Sequence, residues 1–179
     1  MDRLTSGQMD FIRRQPMYFV ATAAADGRVN VSPKGMDSLR VLGPNRIVWL
    51  NLTGSGNETA AHVRAVPRMT LMFMSIDEQP LILRAFGTAQ MLYPRDDEWD
   101  ELIGQFPVWG GSRQIFDMQV TSVRSSCGTG VPVMHVESDR GVTELEPFYA
   151  AMSEAELQDY WSRKNTESLD GLATGIHTD

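Results

Sequence analysis

The chain is short of the residues on which most hydrolases, metalloproteins and disulfide-stapled domains depend: of 179 residues, one is cysteine and three are histidine. A lone Cys127 has no partner for an intramolecular disulfide and cannot form a structural thiolate metal site, which fits a reducing, cytoplasmic setting. No apolar run is long enough to span a bilayer, and Met1 to Gln15 has no signal-peptide core, so a soluble protein with no membrane partner is expected. Basic charge is also scarce. Against 23 Asp and Glu stand 16 Lys and Arg, a net charge of −7, the wrong sign for neutralising a run of phosphates, so no nucleic-acid partner is expected. A single local phosphate site remains compatible with that balance. Gly-x-Ser-x-Gly, His-Glu-x-x-His, Walker and Cys-x-x-Cys patterns are all absent.

What is present reads as an ordinary globular chain, with 42% hydrophobic and 22% charged residues. The length suits a single domain, 1–179. Thr5 and Gln8 form a capping-box pattern for a first helix that stops before Pro16. Met17 to Thr22 and Arg28 to Ser32 flank Asp26-Gly27 and predict a β-hairpin. Further strands are expected at Leu39 to Leu42, Ile47 to Leu52, Met69 to Ile76 and Leu81 to Leu92, making about six, with a return to strand at Ile115 to Val123. A short helix, Glu58 to Val66, is expected with Asn57 as its N-cap. A third is expected to begin at Pro94, and a helical tail to run from about 153 to 169 behind the Ser153–Glu156 capping box. Met69, Met72 and Met74 read as core filling, and His62 as a surface or interface residue. This order of short strands favours a small barrel or sandwich with helical decoration over a doubly wound α/β fold.

Three segments can carry chemistry. Val31-Ser32-Pro33-Lys34-Gly35 ends a strand with a proline, a cation and a glycine, and reads either as a bend presenting Lys34 to a ligand or as a strand end with a solvated lysine. Asn51 to Glu58 runs from strand through a glycine-rich loop into a helix. Its backbone N–H groups, with Thr53 and Ser55 hydroxyls, form a cradle for one phosphate, although Glu58 in the first turn competes with an anion there. Pairing of neighbouring strands would bring Lys34 to this loop. In Gly110-Gly111-Ser112-Arg113-Gln114, Arg113 is either a phosphate or carbonyl fork or a surface arginine. Cys127 reads as a buried, inert thiol rather than a redox group.

The order of these segments resembles the pyridoxamine 5′-phosphate oxidase-like family of FMN-binding split β-barrels. The likeness runs from Phe11 to Pro132 and is carried by Arg28 to Gly35, Ile47 to Asn57, Val66-Pro67-Arg68 and Leu83-Arg84-Ala85-Phe86-Gly87-Thr88-Ala89. It implies a mainly β split barrel with flanking helices, assembled as a homodimer with FMN at the subunit interface. The implied activity is oxidoreduction of a small-molecule substrate by hydride or electron transfer. By the same resemblance, Val31, Ser32, Pro33 and Lys34 face the flavin ring and phosphate, and Asn51 sits beside the flavin. Ser55, Gly56 and Asn57 hold the phosphate, and Ser112, Arg113 and Gln114 approach from the other subunit. Gly56-Asn57 stands where the oxidase proper has an Arg-Lys pair, so Lys34 and Arg113 would supply the positive charge. The tail, Asn165 to Asp179, lacks the oxidase's substrate-binding Arg and His, so the likeness is to a flavin-binding subgroup. The alternative is a non-enzymatic storage or sensor protein for flavin or haem, and a deazaflavin also suits this barrel.

Overall fold

The computed structural model describes residues 2–177. Among them, seven strands form one antiparallel sheet in the order β2-β1-β5-β6-β7-β4-β3. The strands are β1 (Tyr18–Ala23), β2 (Val29–Lys34), β3 (Leu39–Gly43), β4 (Arg46–Leu52), β5 (Arg68–Met74), β6 (Ile82–Leu92) and β7 (Ser112–Ser126). The helices are α1 (Ser6–Arg14), α2 (Glu58–Ala65), α3 (Trp99–Ile103), α4 (Glu146–Ala150) and α5 (Glu154–Lys164), with a π-helical turn at Gly141–Leu145.

Side chains from both ends of the sheet share one core. Val20 of β1, Leu71 and Phe73 of β5, Leu83 of β6, Phe116 of β7 and Trp49 of β4 are buried together, with Leu39 and Val41 of β3 packed on them. A flat sheet cannot bring β1 and β3 to the same core, so this one is curled into a barrel, open between its edge strands β2 and β3. Trp49 stacks on Phe116 with ring centroids 4.5 Å apart, a pairing worth about 1 kcal/mol beyond its buried area. β4 is buried on both faces because α3 covers its outer side: Val48 and Leu50 pack there with Trp99, Leu102 and Phe106. A third cluster, Tyr93, Tyr149, Leu157, Trp161 and Ile176, fastens the C-terminal segment to the barrel.

Local signals explain the elements that matched expectation. Both capping boxes form, Thr5 with Gln8 and Ser153 with Glu156. The β1–β2 hairpin turns through Gly27 at φ 93°, and pairs Tyr18 with Lys34. Other expectations need correction. The last strand runs from Ser112 to Ser126, longer at both ends than Ile115 to Val123, because it pairs first with Leu52 of β4 and then along β6 as far as Ser126. Pro94 opens a turn, not a helix: the Asp96 carboxylate accepts the Tyr93 N–H at 2.7 Å, competing with helical backbone bonding, and α3 begins only at Trp99. α5 stops at Asn165, and 166–177 continue as a strap without helix. Met69 is in the core, whereas strand alternation puts Met72 and Met74 half-buried on the outer face. His62 is buried, its Nδ1 3.2 Å from the Thr22 hydroxyl. Cys127 is exposed. Among the described residues, no helix is long and apolar enough to cross a membrane.

Candidate functional site

A cleft of about 560 Å³ lies where the barrel is open, a volume typical of small-molecule sites. Its walls come from β2 and the turn after it, from the end of β4 and the loop into α2, from Arg113, and from the 139–145 segment. β2 alternates strictly: Val29 and Val31 face outward and are exposed, while Asn30, Ser32 and Lys34 face the cleft. Lys34 reaches Asn51 by closure across the open edge, not by strand pairing, since β2 is one edge strand and β4 lies next to the other.

The Lys34 ammonium donates to Asn51 Oδ1 at 3.0 Å and lies 5.4 Å from the centre of a Trp49 ring. Burial, reinforced by the Arg113 charge, pushes its pKa down to about 8. Arg113 is itself buried, at 2% exposure, and burial pushes its pKa down to about 10. Its Nε donates to Gln114 Oε1 at 2.9 Å, and one terminal nitrogen donates to Gly56 O at 3.1 Å and to Asn165 Oδ1 at 2.7 Å.

These two cations anchor a continuous network. Asn51 Nδ2 donates to Gln114 Oε1 at 2.8 Å, Gln114 Nε2 to Asn57 Oδ1 at 2.8 Å, and Asn57 Nδ2 to Asn165 O at 3.2 Å. A lysine at one end and an arginine in the middle can only donate, so every amide in the chain is forced into one orientation. Every acceptor is neutral. Among the described residues no carboxylate pairs with Lys34 or Arg113, so two positive charges, Arg113 buried and Lys34 half-buried, face the cleft uncompensated. Burying charge without a counter-charge is costly, and an anionic ligand is the chemistry that relieves it.

The structure sorts the sequence-predicted residues. Ser32, Pro33, Lys34, Asn51, Ser55, Gly56, Asn57 and Arg113 line the cleft. Val31 does not; it lies on the outer face at 59% exposure. Ser112 turns to its own loop, donating to Trp109 O, and Gln114 is fully buried behind Asn51, so it positions the wall without lining it. Arg113 reaches the cleft from the same chain as Lys34, where the resemblance implied the other subunit. Asn57 precedes α2 without capping it, because its side chain is taken up by Gln114 and Asn165. The Thr53 hydroxyl is also committed: it donates to Gly111 O and accepts from Trp161 Nε1, both at 2.8 Å. Glu58 is held by the Leu169 N–H, which accounts for its carboxylate at the start of α2. Sequence reasoning missed Asn165 and the 139–145 segment. Neither carries a local pattern; both arrive by long-range packing.

Comparison with known proteins agrees with this architecture. The family model described as pyridoxamine 5′-phosphate oxidase matches residues 4–127. The pyridoxamine 5′-phosphate oxidase family protein ustO of Aspergillus flavus is 33% identical over 193 residues, covering 99% of this chain and 77% of its own. Among solved structures, HupZ of Group A Streptococcus superposes with a TM-score of 0.56 at 20% identity, covering 68% of this chain and 98% of that one. The FAD-binding protein of Mycobacterium smegmatis superposes with a TM-score of 0.50 at 14% identity, covering 69% and 96%. At these identities the two structures speak for the fold, a split barrel. With the family model and the Aspergillus relative spanning most of its length, the chain belongs to the pyridoxamine 5′-phosphate oxidase family.

Proposed function

We propose that the protein binds FMN in this cleft, with the phosphate against Lys34 and Arg113, and serves as a flavin-dependent oxidoreductase for a small molecule. The observation that carries the reading is the pair of cations, Arg113 buried and Lys34 half-buried, without a carboxylate partner beside a glycine-containing loop at the start of α2. A phosphate monoester of charge about −1.5 to −2 matches two such cations, and N–H groups at the start of a helix add to them. The flavin, when bound, supplies the hydride or electron transfer. The protein's part is to bind and orient: Lys34 and Arg113 hold the anion, Asn51 presents a fixed carboxamide to the cleft, and Ser55 stands exposed on the loop as a free hydroxyl.

The same reading includes a homodimer with the site near the subunit interface. Supporting it, the outward face of β2 leaves Val29 70% and Val31 59% exposed next to the cleft wall. The segment over the cleft likewise exposes Val142 and Leu145.

The test is the visible spectrum of purified protein before and after addition of FMN and desalting. Retention of about one FMN per subunit is expected, with loss in Arg113→Met. A protein that retains no flavin, or one that shows a Soret band with added haem and no flavin binding, overturns the assignment. NAD(P)H oxidation with turnover separates an enzyme from a storage or sensor protein.

A further inference from the structure

The C-terminal strap has no catalytic pattern, yet one of its side chains touches both halves of the anion site. Asn165, fully buried at the end of α5, accepts from Arg113 through Oδ1 at 2.7 Å and donates from Nδ2 to Gly54 O at 3.0 Å. Its backbone carbonyl accepts from Asn57 Nδ2 at 3.2 Å and from the Thr174 hydroxyl at 2.5 Å. Its backbone N–H closes α5 on Trp161 O at 2.8 Å. The loop 54–57 and Arg113 are therefore braced by one residue more than fifty positions away in sequence.

The chemistry of that brace matters more than its shape. An arginine is ordinarily buried against a carboxylate, which gives the stronger, charge-assisted contact. Here the contacts are carboxamides and a carbonyl, which orient the guanidinium and leave its charge intact. Other anchors hold the strap in place independently. Asp170 pairs with the Arg28 side chain and accepts its backbone N–H, and Leu169 N–H is held by Glu58. Asn165 is thus not needed as the sole tether of this segment.

We propose that Asn165 is a positioning residue of the anion site: its neutral carboxamide aims Arg113 at the cleft without neutralising it, so the C-terminal strap sets the preference for a phosphorylated ligand. This rests on the reading that the cleft receives a phosphate. Asn165→Asp keeps the shape and the Oδ1 acceptor, places a negative charge on Arg113 and gives up the donor to Gly54 O. Asn165→Ala removes the aim and leaves the charge.

The experiment is equilibrium titration of full-length wild type, Asn165→Asp, Asn165→Ala and Asp170→Asn with FMN and with riboflavin, which lacks the phosphate. Wild type is expected to prefer FMN. In Asn165→Asp the FMN affinity falls about tenfold or more, while riboflavin affinity stays within about twofold, as expected for loss of a charge-assisted contact. Asn165→Ala loses less FMN affinity than Asn165→Asp, and Asp170→Asn, in the turn of the strap against Arg28, keeps the wild-type ratio.

A purely structural role lowers FMN and riboflavin affinity together in both variants, because a disturbed wall does not distinguish a ligand with a phosphate from one without. Equal loss of both ligands, or a greater FMN loss in Asn165→Ala, overturns the proposal. So does an unchanged FMN-to-riboflavin ratio in Asn165→Asp. Wild type binding FMN and riboflavin equally overturns the phosphate reading itself, and the proposal with it. Should Asn165→Asp fail to fold, the ratio in Asn165→Ala decides: selective loss of FMN affinity sustains the proposal, and equal loss overturns it.

Discussion

Replacing Lys34 by methionine should make the ligand-free protein more stable. The fall of the Lys34 pKa from 10.5 to about 8 means that holding the ammonium charged in the folded state costs about 3 kcal/mol, at 1.36 kcal/mol per pH unit. Methionine fills the same space without the charge, but leaves Asn51 Oδ1 without its donor, a loss of about 1 kcal/mol. The net gain expected at pH 7 is about 2 kcal/mol.

Because the folded pKa lies below the unfolded one, the folded protein binds fewer protons than the unfolded chain between about pH 8 and 10.5. Wild-type stability from this group therefore rises with pH through that window, and the penalty is fully present below pH 8. The advantage of Lys34→Met should shrink accordingly as pH is raised from 7 to 10. Urea unfolding of both proteins across that range, with FMN absent, measures the difference directly, and the subtraction cancels groups common to both. Saturating FMN should reverse the order, since the wild type alone gains the binding energy of the cation. A variant less stable than wild type at pH 7, or a difference that does not move between pH 7 and 10, would refute the reasoning that Lys34 is an uncompensated, desolvated charge.

Gly87→Ala should cost about 2 kcal/mol or more in urea unfolding, because the added Cβ would stand 2.0 Å from the Gln119 carbonyl oxygen at the β6–β7 bulge, and backbone cannot swing aside; a cost under about 0.5 kcal/mol would show that the ladder yields. Trp161→Phe should lose about 1 kcal/mol of stability by removing the Nε1 donor from the Thr53 hydroxyl, measured as a lowered urea midpoint.

Much of the barrel was legible because its signals are local. The alternation of β2, the Asp26-Gly27 turn and the two capping boxes each depend on residues within a few positions of one another. Where a local signal met a competing one, reading failed: Asp96 bonds the chain behind it and delays α3, and Asn57 has the side chain of an N-cap but spends it on Gln114 and Asn165. His62 read as a surface or interface residue of a short helix, and packing against Thr22 of β1 buries it.

The candidate site divides in the same way. By itself the sequence determined which chemistry was available: a lysine ending a strand, a glycine-rich entry to a helix, one arginine between glycines and a strand, and a net charge of −7. It also carried the family order of segments. Tertiary structure alone decided that Lys34 and Arg113 lie in one cleft of one chain, that their partners are amides rather than carboxylates, and that the C-terminal strap supplies Asn165. The reason is physical. A residue's type is a property of its position in the chain, but its pKa, burial and partners depend on what barrel closure and the strap bring against it from more than fifty residues away.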